Sequence, residues 1–448
     1  MASAADQMAQ SISLSKFAQA TDLKKRLWFT IGALIVFRLL SYVPLPGIDP
    51  VGIAALANRS QGGVLDFFNT FSGGALSRAS LIALGVMPYI TASIVVQLST
   101  SLSPTLAAIK KEGESGRKRL NQYTRYGTVL LTAVQGYFIA RGLEAGGAVA
   151  EPGPLFIVAA IVSLIGGTMF LMWIGEQITN RGIGNGVSLI IMAGIVAHLP
   201  TTLVNLLEGG RTGSLDPIRI VGIVVAVIGL VLFICFMERA QRRILIQYPK
   251  RATQRGMQAD RSHLPLKINT AGVIPPIFAS SLLLMPLTIS QFAGQRVAGE
   301  SAWGDFIISL NQYLQHGSPV YMLLYGAGIV FFSFFYTAVV FNPEETAENL
   351  KRYGGFVPGI RPGKNTETYF DYVLTRITVI GAGYLAIICL LPEYLVTALS
   401  IPFYLGGTSL LIVVNVTMDT VTQIQSHLLA HQYGDLIKKS KLKGGRLR

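Results

Sequence analysis

The stretch IRIVGIVVAVIGLVLFICFM, residues 218–237, is apolar over about the 20 residues that a helix needs to cross the hydrocarbon core of a bilayer. Nine further stretches of this kind occur in the chain, and together they predict ten membrane-spanning helices, called spans 1 to 10 below. The composition agrees, with 51% hydrophobic and only 13% charged residues. The ten spans cover residues 27–43, 80–99, 122–140, 155–174, 186–205, 218–237, 271–289, 320–341, 376–392 and 402–422.

The cationic side chains are sorted among the gaps between the spans. Of the 37 Lys and Arg residues, 30 lie in the two tails or in the gaps after spans 2, 4, 6 and 8, counting those at the span borders. The positive-inside rule therefore places both termini and these four loops in the cytoplasm. A soluble protein with buried helices would have no reason to sort its charges in this way. The sequence thus predicts an all-α polytopic membrane protein.

The spans divide evenly around a central gap at residues 206–219. Because each side holds five spans, an odd number, the second half enters the membrane from the opposite side, as in an inverted repeat. We expect two pseudo-symmetric halves around a central axis along which the function lies, residues 27–205 and 218–424, with an external hinge loop at 206–219. A cytoplasmic amphipathic segment at 1–26 precedes them, and a basic cytoplasmic tail at 425–448 follows.

Charged groups are scarce near the middle of the spans. An ion-coupled transporter needs such groups near the bilayer midplane to hold its coupling ion. Here the span centres are mostly Ile, Val, Leu, Ala and Gly, while Arg38 and Asp419 lie toward span ends. A charge at a helix centre costs roughly 2.5–3.5 kcal/mol on insertion scales. The spans favour a conduit that does not grip a small charged solute, and an inverted-repeat transporter of a small solute is the alternative.

The sequence lacks the residue patterns of enzymes and metal sites. It has no Walker motif, so ATP hydrolysis by this chain is not expected. Its five histidines are scattered without metal-ligand spacing, and Cys235 and Cys389 both fall inside spans, which argues against a disulfide framework. The glycine-rich GIGNG at 182–186 lacks a preceding strand and a lysine, so it is interpreted as a loop and helix start. We expect no catalysis, no cofactor and no metal.

Residues 62–74, GGVLDFFNTFSGG, interrupt the gap between spans 1 and 2. The apolar core Val64–Phe71 is too short to span a bilayer, and the glycine pairs at its two ends can adopt unusual backbone angles. The segment is either a movable insert that dips into the membrane from outside or an interfacial helix that rests on the bilayer. These residues alone leave both interpretations open.

Spans 2 and 7 both contain proline, which removes a hydrogen bond and kinks a helix when it lies in the interior. Both spans also carry polar residues near one end. Two bent helices with polar patches near the same face predict a seam that opens sideways, and two ordinary bent membrane helices are the alternative. The residues concerned are Pro88 and Gln97 in span 2, Asn269 and Thr270 at the cytoplasmic start of span 7, and Pro275 inside span 7.

Seven segments, found in the family's own order, resemble the bacterial SecY family, whose members form the centre of the Sec protein-conducting channel. They include GGALSRASLIALGVMPYITASIVVQL (73–98), GEQITNRGIGNGVSLIIMAGIVA (175–197) and FVPGIRPGKNTE (356–367). The resemblance extends from about residue 17 to residue 446. The other four segments are residues 104–128, 263–281, 341–352 and 402–414.

This resemblance implies that spans 1–5 and 6–10 enclose an hourglass pore that opens toward lipid between spans 2 and 7. It also implies that residues 62–74 are a plug that closes the outer funnel at rest, and it interprets the polar residues of spans 2 and 7 as a cluster that holds this lateral gate together. Hydrogen bonds between membrane helices are worth about 0.6–2 kcal/mol, which an apolar signal sequence can displace. The implied plug residues are Gly63, Val64, Leu65, Asp66, Phe67, Phe68, Asn69, Phe71 and Gly73; the gate residues are Pro88, Gln97, Asn269, Thr270 and Pro275.

The narrowest part of the implied pore is a ring of branched aliphatic side chains. Such a ring closes around an extended polypeptide without hydrogen-bonding it, and it resists wetting when it is narrow. Without the resemblance, each of these side chains would be assigned to lipid contact or core packing. The ring residues are Val86, Ile90, Ile191, Ile277 and Ile412, with Val187 as a weaker candidate.

Two cytoplasmic loops, residues 238–270 and 342–375, concentrate the positive charge. The alternating segments ILIQY (244–248) and HLPLKI (263–268) predict extended or hairpin structure in the first loop. Cations of this kind suit ribosomal RNA phosphates or the acidic surface of a motor ATPase; the alternative is that they hold the loops inside and contact anionic lipids. Arg361 is the loop residue on which we expect docking to depend most. The docking candidates are Arg242, Arg243, Lys250, Arg251, Arg255, Arg261, Arg361 and Lys364.

The resemblance also implies partners and a location. The partners are the SecE and SecG subunits, the SecA motor ATPase, the ribosome, signal sequences and nascent polypeptides, with SecDF and YidC as further candidates. The location is the plasma (inner) membrane of a bacterium.

Overall fold

The computed structural model describes residues 21–50, 52–53, 69, 72–213, 216–248, 261–283, 318–399 and 406–444. Most of these residues are helical, and the described part contains one two-stranded sheet. In chain order the helices are α1 (Thr21–Leu40), α2 (Met87–Leu102), α3 (Pro104–Lys111), α4 (Glu114–Ala145), α5 (Pro154–Arg181), α6 (Gly186–Arg211), α7 (Pro217–Arg239), α8 (Ile274–Leu283), α9 (Pro319–Val340), α10 (Pro343–Arg352), α11 (Lys364–Leu399) and α12 (Gly407–Gly444).

Five stretches within the described residues are long and apolar enough to cross a membrane. They are α5, α6, α7, α9 with its continuation into α10, and α11 up to Leu395. The pair α2 and α3, bent by 101° at their junction, forms a sixth if it is one span. The prediction of an all-α polytopic membrane protein is therefore confirmed. The number ten and the division into two inverted halves stay predictions, because parts of several spans lie outside the described residues.

Two predicted boundaries differ from the structure. Residues 21–26 belong to α1, so the described end of the amphipathic N-terminal segment continues without a break into span 1. Span 10 likewise continues as α12 to residue 444, through most of the predicted tail at 425–448. At both ends the helix extends beyond the apolar stretch, since the backbone hydrogen bonds of a helix do not depend on the polarity of its side chains.

The prolines of spans 2 and 7 do not kink the interior of a helix, and the predicted bends are wrong in this respect. Pro88 is the second residue of α2, and Pro275 is the second residue of α8. In the first turn a helix has no use for the backbone N–H that proline lacks, so proline starts a helix there without penalty. Each helix is preceded by a glycine with positive φ, Gly85 at +55° and Gly272 at +66°.

The two extended segments of the first basic loop form the antiparallel hairpin that the sequence predicts. Strand β1 (Gln241–Gln247) pairs with β2 (Arg261–Lys267), with Ile244 opposite Leu264 and Gln241 opposite Lys267. An isolated two-stranded hairpin has little stability of its own. Here the backbone of Gln247 exchanges two hydrogen bonds of 2.9 Å with Phe356, so the second basic loop adds a further short pairing on the other side of β1.

A hydrophobic cluster at the base of the hairpin joins both basic loops. It buries Ile244 and Leu266 from the hairpin and Val357 from the second loop, and Phe370 at its centre is fully buried. The two loops therefore form one packed unit with α10 and the start of α11. The remaining buried members of this cytoplasmic cluster are Ala347, Val373, Leu374 and Ile377.

By its contacts the chain divides into two compact units, one of residues 1–89, 125–200 and 416–448 and the other of residues 90–124 and 201–415. The first unit contains the loop GIGNG, which is a loop and helix start as predicted, because α6 begins at Gly186. The Ile183 N–H of this loop donates to Thr30 Oγ1 at 3.1 Å, and the Gly184 N–H donates to Gln423 Oε1 at 2.8 Å. These bonds tie α1 and α12 to the start of α6.

Close packing of α5 on the segment before α2 gives a testable prediction about two neighbouring glycines. A Cβ at Gly167 would overlap the Leu81 carbonyl oxygen, whereas a Cβ at Gly166 would meet open space. We expect Gly167→Ala to destabilise the protein by about 3 kcal/mol through overpacking. Gly166→Ala should stabilise it by roughly 0.5–1 kcal/mol through helix propensity.

The measurement is the thermal unfolding of the purified protein in detergent. Gly166→Ala is the matched control, since it makes the same chemical change one residue away in the same helix. Equal unfolding temperatures for the two variants would contradict this contact.

Candidate functional site

The predicted ring residues lie at or near the beginnings of helices. Val86 directly precedes α2. Ile90 is the fourth residue of α2, and Ile277 is the fourth residue of α8. Ile191 is the sixth residue of α6, and Ile412 is the sixth residue of α12. All five are buried, with exposures between 1% and 8%. Three of the six candidates, Val86, Val187 and Ile191, belong to the first unit and the other three to the second. The closed ring that all six would form stays a proposal.

Val187 differs from the other five candidates. It is only half-buried, and its Cγ2 atom packs against Gly175 of α5, where a Cβ would come within 3.1 Å. A side chain committed to a helix–helix contact has less freedom to line a pore. This packing agrees with its weaker place in the sequence-based prediction.

Two arginines hold the described end of the predicted plug. Arg38 of α1 donates from Nη1 to the Gly73 carbonyl oxygen at 2.7 Å, and Arg78 donates from Nη2 to the same oxygen at 2.9 Å. Both guanidinium groups lie against the ring of Tyr42, at 5.0 Å and 4.3 Å from its centre. Burial lowers the pKa of Arg78. We call Arg38, Tyr42 and Arg78 the arginine clamp.

The backbone around the clamp has the turns that the glycine pair predicts. Gly73 and Gly74 both have positive φ, at +70° and +81°. Oδ1 of the Asn69 side chain accepts a hydrogen bond from the Ser77 N–H at 2.9 Å. The backbone carbonyl oxygen of Asn69 accepts one from the Gly74 N–H at 2.8 Å. The prediction for this glycine pair is confirmed. The other plug candidates, Gly63, Val64, Leu65, Asp66, Phe67, Phe68 and Phe71, lie outside the described residues.

The three polar gate candidates all form hydrogen bonds. Two of them bond to residues three or four positions earlier in the chain, and the third bonds to α7. Gln97 Nε2 donates to Ser93 Oγ one turn earlier in α2, at 3.2 Å. Thr270 Oγ1 donates to the Lys267 carbonyl oxygen at 2.9 Å. Asn269 is 4% exposed, and its Nδ2 donates to Oε1 of Glu238 at 2.6 Å. A polar cluster between spans 2 and 7 stays a proposal.

The described docking candidates are exposed. Arg242 and Arg243 lie on β1, Arg361 lies in the turn before α11, and Lys364 is the first residue of that helix. Gly359 and Gly363 give this turn its conformation through positive φ, and Thr366 Oγ1 donates to the Arg361 carbonyl oxygen at 3.0 Å. Arg261 belongs to β2, and its side chain, like Lys250, Arg251 and Arg255, lies outside the described structure.

Two features of the site were missed by reasoning from the sequence. The first is a short repeat, GVMPYITASI at 85–94 and GVIPPIFASS at 272–281, which is identical at six of ten positions. It places Ile90 and Ile277 at equivalent points of α2 and α8, and it was readable as sequence. The second is Glu238, a carboxylate at the start of the first basic loop that is only 7% exposed. Its burial is a tertiary property that no local pattern signals.

Within the described residues no group of three or more His, Cys, Asp or Glu side chains could hold a metal ion. The arrangement consists instead of apolar helix ends, a clamped loop and an exposed cationic surface. These features, together with the apolar helices, define the chain as a polytopic membrane protein of the all-α class.

Comparison with known proteins gives the family. The family model for SecY matches residues 80–421, and the chain belongs to the SecY family. It is 54% identical to protein translocase subunit SecY of Escherichia coli strain K12 over 428 residues, which are 94% of this chain and 96% of that protein. It is 53% identical to protein translocase subunit SecY of Vibrio cholerae serotype O1 over 427 residues, 95% of this chain and 96% of that protein.

Solved structures with the same fold include two channels. One, described as "The structure of a protein conducting channel", has a TM-score of 0.62 at 18% identity and covers 90% of this chain and 92% of its own. The other, "Sec61 in the Canine ribosome-channel complex from the endoplasmic reticulum", has a TM-score of 0.59 at 17% identity with the same coverage. These likenesses establish the fold.

Proposed function

We propose that this chain is the channel-forming subunit of a protein translocase. It conducts unfolded secretory polypeptides across the bacterial inner membrane and releases apolar segments sideways into the bilayer between spans 2 and 7. The single observation that carries this proposal is the match to translocase subunits at more than half identity along 94% of the chain. No comparison supports the alternative of a small-solute transporter.

The passage works without adhesion. The ring candidates are branched aliphatic groups at helix ends, so a translocating chain meets no hydrogen-bond donor or acceptor on their side chains. A narrow aliphatic ring also excludes water and with it small ions. Polypeptides of any sequence therefore slide through, while the membrane keeps its seal.

The sideways exit works by partition. A segment rich in Leu, Ile and Phe gains about 0.3–0.6 kcal/mol per residue at the centre of a membrane helix. Several such residues together exceed the 0.6–2 kcal/mol or so of a polar contact between helices. An apolar segment thus parts spans 2 and 7 and enters lipid, whereas a polar chain continues across.

The cytoplasmic surface receives the partners. Arg242, Arg243, Arg361 and Lys364 lie on one packed unit, which suits the SecA motor and the ribosome, both of which present dense negative charge. SecE and SecG complete the channel in the membrane, and SecDF and YidC act beside it. Anionic lipids contact the remaining loop cations. Both termini lie in the cytoplasm, on the side of the basic loops.

Crosslinking tests the channel directly. Single cysteines at positions 86, 90, 191, 277 and 412 carry a photoreactive group, and a secretory precursor is stalled during translocation through the complete translocase. We expect the precursor to crosslink at these positions. Leu155 and Ile218, which are 84% and 85% exposed on the outside of their helices, provide the control sites. Crosslinks to lipid alone at the five ring positions would overturn the proposal.

A further inference from the structure

The start of span 7 is fastened to the end of span 6 by a buried carboxylate. Glu238 is the second-to-last residue of α7, and its side chain is almost fully enclosed, with 7% exposure. Its Oε1 atom accepts a hydrogen bond of 2.6 Å from Asn269 Nδ2, two residues after β2 ends. A carboxylate buried this deeply is stable only where polar partners replace water, and Asn269 is one of them. Tyr384 of α11 interacts electrostatically with the same group.

The same Asn269 side chain also holds the backbone below α8. Its Oδ1 accepts from the Gly272 N–H at 3.0 Å, and its Nδ2 donates to the Gly272 carbonyl oxygen at 3.2 Å. If the amide were turned over, its oxygen would face the Glu238 carboxylate and its NH₂ would face the Gly272 N–H. The carboxylate therefore determines which way the amide points and, through it, the conformation of Gly272.

The residues between β2 and α8 are enclosed from two further sides. The Ile268 N–H donates to the Ala240 carbonyl oxygen at 3.1 Å, directly after α7 ends. The Ile268 carbonyl oxygen lies against Gly381 of α11, so closely that a Cβ there would come within 2.7 Å. Residues 268–269, which we call the base of span 7, are thus attached to α7, to α11 and through β2 to the cytoplasmic cluster.

The Asn269 side chain holds Gly272 in this structure, and directly after Gly272 the attachment becomes weak. Gly272 has a φ of +66°, a conformation that glycine adopts without strain. Pro275 and Pro276 follow in the first turn of α8, and neither has a backbone N–H that could bond downward. The Ile277 N–H reaches the Val273 carbonyl oxygen only at 3.5 Å. The chain therefore changes from a fastened base to a loosely bonded helix start within about one helical turn.

We propose that Glu238 is a positioning residue of the lateral gate: acting through Asn269, it fixes the base of span 7, so that the gate opens by rotation of span 7 about Gly272 above a stationary base. This inference rests on the proposed function. It assigns a role in gating to a buried carboxylate outside the predicted ring and gate residues. The apolar length that a signal sequence needs to open the gate then depends on how firmly the base of span 7 is held.

The first experiment uses the complete translocase in proteoliposomes and two precursors that differ only in the apolar length of their signal sequences. Glu238→Gln keeps an oxygen acceptor for Asn269, and Glu238→Ala removes it. The readout is the ratio of the translocation rates of the two precursors. We expect Glu238→Ala to lower the preference for the longer signal about tenfold, the factor of one hydrogen bond. Glu238→Gln, which keeps a neutral acceptor, should retain most of the preference.

A second comparison tests whether Glu238 acts through Asn269. The double variant Glu238→Ala with Asn269→Ala should lower the ratio no further than either single change, as expected for residues in one chain of contacts. A proportional loss for both precursors with an unchanged ratio would show a merely structural role and overturn the inference. So would equal effects of the Gln and Ala variants. If the unaltered protein transported neither precursor, the proposed function itself would fail.

If Glu238→Ala does not fold, an engineered disulfide tests independently whether the base of span 7 is stationary during opening. Ala240→Cys with Ile268→Cys, in a protein with Cys235 and Cys389 replaced by alanine, ties the base to the end of α7. If the base is stationary during opening, the oxidised protein should translocate both precursors at the rate of the reduced protein. Arrest on oxidation that is reversed by a reductant would overturn the inference.

Discussion

Charged substitutions throughout the proposed ring should abolish the translocation of secretory precursors and make the membrane leak small ions. The variant carries Asp at Ile90, Ile191, Ile277 and Ile412. Four carboxylates around one constriction hold water, which removes the barrier that a narrow aliphatic ring presents to ions. They also bind basic and amide groups of a passing chain, so it no longer slides. A single charged residue at the centre of a membrane helix costs roughly 2.5–3.5 kcal/mol. A change of this size in the barrier to translocation alters its rate by a factor of about 100.

Two measurements check this prediction: precursor translocation into proteoliposomes and ionic conductance across a planar bilayer. Valine at the same four positions is the control, because it keeps the branched aliphatic character and changes the volume by one methylene at each site. We expect the valine variant to translocate and to seal. Normal secretion together with an intact seal in the aspartate variant would refute the ring as the site of passage.

Arg361→Glu should weaken the binding of the two proposed cytoplasmic partners, SecA and the ribosome, by at least about tenfold at low salt. Arg361 is exposed, and its carbonyl oxygen accepts a hydrogen bond from the Thr366 hydroxyl, so the backbone here loses less conformational freedom when the guanidinium binds an anion. The turn also lies at the start of α11, where the helix dipole adds partial positive charge. A negative charge at this position would repel the negatively charged partners proposed for this surface.

The measurement is the affinity of the protein in lipid nanodiscs for ribosomes and for SecA at two salt concentrations. Lys351→Glu is the matched control, because it makes the same change of charge at an exposed position of α10 on the same packed unit. We expect its effect to be several times smaller and the salt dependence of binding to fall for Arg361→Glu. Identical affinities for the two variants would contradict a special role of Arg361.

Much of the fold followed from patterns that a single sequence displays. The apolar stretch of α7 and the alternation in β1 and β2 depend only on local residues, and the structure bears them out. The prolines at 88 and 275 were misplaced because their effect depends on where a helix starts. Each of these helices starts two residues after a glycine with positive φ, Gly85 before α2 and Gly272 before α8.

The rest of the site depends on residues far apart in the chain. Gln247 pairs with Phe356 more than a hundred positions later, and Glu238 meets Asn269 across the whole hairpin. Neither contact leaves a local trace in composition or periodicity. The charges of the two basic loops are visible in the sequence, whereas their common packing around Phe370 is visible only in the folded chain.

The arginine clamp acts on a backbone carbonyl, and every amino acid has one. Arg38 and Arg78 therefore keep their grip whatever side chain precedes or replaces the residues upstream of Gly73. Substitutions upstream of Gly73 therefore leave this point of attachment chemically unchanged, and an insert of altered composition is still fastened at the same place.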